Sequence, residues 1–201
     1  MPVKAVIFDI GGVLVQGSGD RSRKDRWEKR LGLESGALDR TIWSLPASVR
    51  ANVGLATEDE VWQEVTQHFA LTAHESAQLR ADYFSDSVWN EALIGFARAL
   101  RPRYKTGVVS NAWPTARTAI VDHVNAAMFD DMVFSAEVGL AKPDRRIFEL
   151  AVYRLRVKPA EAIFIDDVQK NVEVAQAIGL AGILYQNTRQ VIAEIEEYLH
   201  I

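Results

Sequence analysis

Five short runs of apolar, β-favouring residues recur along the chain: KAVIFD at 4–9, KTGVVS at 105–110, MVFS at 132–135, AIFI at 162–165 and GILY at 182–185. They read as continuous apolar stretches rather than as an alternation, which is the mark of strands buried on both faces. Between them, apolar residues spaced by three and four predict helices over 114–124, 145–155, 170–178 and 188–199, several opening beside Pro or a capping Thr or Asp. Strand and helix in alternation imply an α/β fold, a parallel sheet with helices on both sides.

The segment from Gln16 to Trp89 breaks this rhythm. It contains no convincing strand, and helical stretches are expected at 21–31, 37–43, 57–69 and 73–84. The expected organisation is a core of 1–15 and 90–201 with a helical insertion at 16–89. At 201 residues the chain is long enough for one sizeable core with a smaller satellite.

Composition narrows the partners. A net charge of −4 provides no basic footprint for nucleic acid. The absence of cysteine excludes disulfides, thiolate zinc sites and a cysteine nucleophile. The apolar runs fall far short of the roughly 18 residues of a membrane span, and no signal-type segment opens the chain. A cytoplasmic protein with no membrane partner is expected.

Ligands of open parallel sheets collect at the carboxyl ends of the strands, and polar residues cluster at those ends here. Asp9 follows the first strand, Ser110 and Asn111 the second, and Asp166 and Asp167 the fourth; Lys142 lies in GLAKPD after the third. Each has a plain structural reading. Asp9 before Gly11-Gly12 could form a turn, Ser110-Asn111 could cap a helix, and Lys142 could be solvated, although a cation beside a helix start opposes the helix dipole. Adjacent carboxylates at Asp166-Asp167 repel each other, and a nearby cation relieves that cost. Together these residues form a carboxylate nucleophile, a carboxylate pair suited to Mg²⁺, hydrogen-bond donors and a lysine. That combination fits phosphate.

The sequence resembles the haloacid dehalogenase-like hydrolase superfamily from end to end. FDIGGVL looks like its first motif, VVSNA its second, GLAKPD its third and FIDDVQKNVEVAQAIGL its fourth, in order. The resemblance implies a Rossmann-like sheet with a small helical cap inserted after the first strand. It also implies that Asp9 attacks phosphorus and becomes an aspartyl-phosphate. Mg²⁺ would be held by Asp9, the Gly11 carbonyl and Asp167. Asp166 would support the metal shell or Lys142, while Ser110, Asn111 and Lys142 would orient the phosphoryl oxygens of a small phosphorylated substrate.

One position departs from the family pattern. Gly11 stands where an aspartate usually protonates the leaving group and later activates water. A glycine keeps the carbonyl ligand and loses the acid, a function typically worth about 10²–10⁴-fold. Three readings follow: a phosphatase for substrates with easily expelled leaving groups, a phosphate-binding or regulatory protein built on a weak or inactive enzyme, and a 2-haloacid dehalogenase. The last resembles members with an aromatic residue at the Gly11 position and no acidic metal pair, so Asp166-Asp167 counts against it. Trp113 could wall the pocket or simply pack, and the cations of RSRKDRWEKR at 21–30 could gate an anion or form a solvated face. His68, His74, His123 and His200 show no metal-ligand spacing.

Overall fold

The computed structural model describes residues 2–17, 21–85, 87–123 and 128–201. Residues 18–20 and 86 of the helical segment, and Val124 at the end of one expected helix, lie outside them.

The chain runs β1 (Ala5–Phe8), β2 (Val15–Gly17), α1 (Ser22–Leu31), α2 (Ala37–Ser44), α3 (Pro46–Ala51), α4 (Glu58–His68), α5 (Ala73–Tyr83), β3 (Ser87–Trp89) and α6 (Glu91–Ala99). It continues through β4 (Lys105–Ser110), α7 (Ala116–His123), β5 (Asp131–Phe134), α8 (Ser135–Val138), α9 (Arg145–Arg154), β6 (Ala162–Asp166), α10 (Gln169–Ala177), β7 (Ala181–Leu184) and α11 (Thr188–Leu199). Five strands form one parallel sheet in the order β5-β4-β1-β6-β7. β1 is central, and all four of its residues are buried.

Strand periodicity decides which helix each residue meets. Val6 and Phe8 of β1 pack with Leu93, Ile94 and Ala97 of α6, Ile120 of α7, and Val191 and Ile195 of α11. Ala5 and Ile7, turned the other way, pack with Ile147, Phe148 and Ala151 of α9 and Ala175 of α10. Both faces of the sheet are therefore covered, which is why its strands are apolar throughout.

The helices α1 to α5 bury a cluster of their own, including Trp27, Leu38, Ile42, Val61, Trp62, Val65 and Leu79. Thr57 and Thr72 open α4 and α5 with capping boxes, each closed by a glutamate three residues on. Contrary to expectation, the segment contains strands: β2 and β3 pair antiparallel at its two ends, Val15 opposite Trp89 and Gly17 opposite Ser87. Three residues each are too few to display a period, and the expected boundary between residues 15 and 16 falls inside β2. The short α3, opened by Pro46, and α6, with Gly95 at its middle, were equally hidden from pattern reading. The strand expected at 132–135 ends at Phe134, because Ser135 begins α8. No helix of the described residues is long and apolar enough to cross a membrane.

Candidate active site

The polar residues at the strand ends form a connected cluster. The β1 backbone continues past Phe8, where the Asp9 amide donates to the Ile165 carbonyl at 2.9 Å and so seats Asp9 beside β6. Its carboxylate Oδ1 accepts from the Ile10 amide at 2.7 Å and from Lys142 Nζ at 2.7 Å. The same ammonium group donates to Asp166 Oδ2 at 2.6 Å. Lys142 is buried, with 6% of its surface exposed, so it is neither solvated nor directed at the helix behind it. That helix is served by Asp144, which accepts from the Arg146 amide.

Asn111 holds the lysine in place. Its amide Nδ2 donates to the Lys142 carbonyl at 2.9 Å, and its Oδ1 accepts from the Lys142 amide at 2.8 Å. This pair of hydrogen bonds from loop to loop fixes the lysine backbone on both sides, a task for an amide side chain rather than a helix cap. Ser110 is buried at the end of β4, next to β1 in the sheet, and its hydroxyl lies 3.5 Å from the Asn111 carbonyl. No hydrogen bond links that hydroxyl to the carboxylates among the described residues.

Asp166 is fully buried and fully occupied. Besides Lys142 it accepts from the Val168 amide at 2.8 Å and from Asn171 Nδ2 at 3.0 and 3.1 Å. Within the cluster it is thus bonded to Lys142. Asn171 was not singled out in the sequence; the available signal was a buried amide one turn into α10, on the face where Val172 and Ala175 pack. Asp167 faces outward from the same corner, and its carboxylate lies against Gly12. A Cβ at Gly12 would overlap that carboxylate, and the residue has φ +75°, so glycine is required there. Gly11 differs: a Cβ would meet nothing within 4 Å, and its φ lies outside the left-handed region.

Carboxylate oxygens of Asp9, Asp166 and Asp167 all lie within 4.8 Å of one another, with a single lysine among them. Negative charge is in excess. Burial pushes the Asp9 carboxyl up to about 6, Lys142 pulls against it, and Asp166 adds to the rise. Partial burial, followed by the Asp166 charge, raises Asp167. Oxygen donors crowded beyond the capacity of their one cation suit a hard divalent ion. The donor set fits Mg²⁺: among the described residues no side chain bonds to the Asp167 carboxylate and only Oδ1 of Asp9 is taken, whereas both oxygens of Asp166 are occupied.

A surface cleft of about 500 Å³ between α4 and α5 is lined by residues such as Trp62, Gln67, Ser76 and Arg80 and takes in none of the cluster. The insertion reaches the site region by another route. Ser135 Oγ is wholly buried, accepts from the Ala112 amide at 2.9 Å and donates to Asn52 Oδ1 at 2.9 Å. Trp113, next in the chain, is buried in the aromatic cluster of the insertion.

Among known proteins, the chain is 29% identical over 206 residues to acyl-CoA dehydrogenase family member 10 of Mus musculus, covering 98% of this chain and only 19% of that protein's length. It is 26% identical over 198 residues to a phosphatase of Mycobacterium tuberculosis, covering 94% of this chain and 90% of the other. A HAD family enzyme of Bacteroides thetaiotaomicron, solved in complex with magnesium and inorganic phosphate, shares the fold with TM-score 0.75 at 22% identity, over 92% of this chain and 94% of that one. The haloacid dehalogenase-like hydrolase family model matches residues 3–179, nearly the whole sheet and the insertion with it, and the chain belongs to that family.

Proposed function

We propose that the protein is a Mg²⁺-dependent phosphatase of a small phosphorylated metabolite, working through an aspartyl-phosphate at Asp9. The observation that carries this reading is Lys142, buried between Asp9 and Asp166 at the carboxyl ends of a parallel sheet with a third carboxylate beside them. The phosphatase relative and the magnesium and phosphate complex of the structural neighbour agree with it.

Asp9, the Gly11 carbonyl and Asp167 would hold Mg²⁺, which when bound would supply charge neutralisation for the phosphoryl oxygens. Lys142, Ser110 and the Asn111 backbone orient those oxygens, and Lys142 also keeps Asp9 aimed. An Asp9 oxygen attacks phosphorus; the bond from phosphorus to the leaving oxygen breaks, and its electron pair departs on that oxygen. Water then attacks the phosphorus of the aspartyl-phosphate, the bond to Asp9 breaks, and inorganic phosphate and the carboxylate are released. Residues 16–89 act as the cap over this core of 1–15 and 90–201.

Gly11 supplies no proton at either step, so turnover depends on a leaving group that departs as an anion. Acetyl phosphate with Mg²⁺ is the appropriate first substrate. We expect phosphate release and a trappable phosphoenzyme, both lost with Asp9→Asn by about 10³-fold or more. Because Gly11 has room for a side chain, Gly11→Asp should fold normally and raise turnover of alkyl phosphates. Gly11 also favours a second reading, a phosphate-binding protein without turnover. Release no greater than that of Asp9→Asn across activated substrates would establish it in place of the phosphatase.

A further inference from the structure

Trp113 lies three residues beyond Ser110, a distance of at most about 11 Å along the chain, and it leaves the core to enter the insertion. Its ring centroid is 4.7 Å from that of Trp43 and 6.3 Å from that of Phe84, with Trp62 edge-on at 6.3 Å behind it. Trp113 is 4% exposed, but Trp43 and Phe84 are 38% and 51% exposed. The buried indole N–H of Trp113 has no hydrogen-bond partner among the described residues, so ring packing alone sets its orientation. Two half-bare aromatic side chains thus flank a tryptophan on the very loop that leaves the phosphate site. Contiguous exposed aromatic side chains, unlike scattered ones, mark a ligand groove or a partner surface, and aromatic faces take flat rings in offset or edge-on contact.

We infer that Trp43, Phe84 and Trp113 form an aromatic wall beside the phosphate site, and that the site prefers a phosphate monoester carrying a flat aromatic leaving group, an aryl phosphate. This rests on the phosphatase reading above. A second, independent observation points the same way, since Gly11 provides no acid. A phenol, with pKa about 10, is a far better leaving group than an alkyl alcohol: Asp9 bonds to phosphorus, the bond from phosphorus to the aryl oxygen breaks, and the phenolate leaves with the electron pair and takes a proton from water.

The test separates ring recognition from chemistry. With Mg²⁺ present, the affinities of benzylphosphonate and methylphosphonate are measured by titration on the wild type and on Trp43→Ala/Phe84→Ala, a variant of exposed residues. The wild type should bind benzylphosphonate at least about tenfold more tightly, and the double variant should bring the ratio close to one. Equal affinities in the wild type, or a preference that survives the double variant, overturn the inference. Unchanged affinities accompanied by loss of a dimer in the variant assign the aromatic face to a second copy of the chain and likewise overturn it. Acetyl phosphate hydrolysis without ring preference leaves the phosphatase and removes the wall. Ring preference without hydrolysis of phenyl or acetyl phosphate leaves the wall and removes the phosphatase.

Discussion

The helical insertion and the sheet both bury carboxylates, under opposite conditions. In the insertion Glu28 is 3% exposed, and both of its oxygens are bonded: Oε1 accepts from the Leu38 amide at 3.1 Å and Oε2 from Arg21 at 3.2 Å. At the carboxyl end of the sheet three aspartates gather around one lysine, which pairs with two of them. In the first arrangement the carboxylate is satisfied by the groups beside it and joins α1 to α2. The second has a surplus of negative charge, tolerable because the same place admits a cation. Burial of an acid is therefore not by itself a sign of function; the ratio of acids to their partners is.

The comparison breaks most visibly at Lys142. Lys142→Met leaves Asp9 and Asp166 buried without their cation, and a loss of about 3–5 kcal/mol in unfolding free energy is expected in chelator. Urea denaturation measures it, and a midpoint equal to that of the wild type would deny the lysine its role. A second effect comes from pH. The folded pKa of Asp9 is raised from 3.8 to about 6, so the folded state holds a proton that the unfolded state has shed. Stability of the metal-free protein should then fall as pH rises from about 4 to about 6, by up to about 3 kcal/mol. Mg²⁺ should raise the melting temperature at pH 7 and do little at pH 4; an equal rise at both would contradict the surplus-charge picture. The smallest effect is expected in the insertion. Glu28→Gln should cost about 1 kcal/mol, with no change in the stabilisation that Mg²⁺ provides at pH 7.

Much of this was legible in the residues. KAVIFD and AIFI announced buried strands because both sides of the sheet are covered, and the motifs at Asp9, Asn111, Lys142 and Asp166 came together because parallel strands end on one side. What escaped was anything whose cause lies far away in sequence. For Lys142 the local residues alone left a solvated lysine open, because only the fold brings Asp9 and Asp166 to it. Asn111 looked like a helix cap because its true partner is a loop 31 residues on. The resemblance set Gly11 apart, but nothing local distinguished the room at the two glycines; the Asp167 carboxylate, brought in by β6, makes Gly12 obligatory, while Gly11 has open space. The strands β2 and β3 were invisible because pairing, not composition, makes them strands.

That pairing has an architectural consequence. With Val15 opposite Trp89 and Gly17 opposite Ser87, the insertion leaves and rejoins the sheet at one doorway, as a module on a two-stranded stalk. A different helical module could be spliced onto the same stalk without disturbing the strand order beneath it. The transplant would also have to bring a socket for Trp113, which belongs to the host by sequence and to the guest by packing.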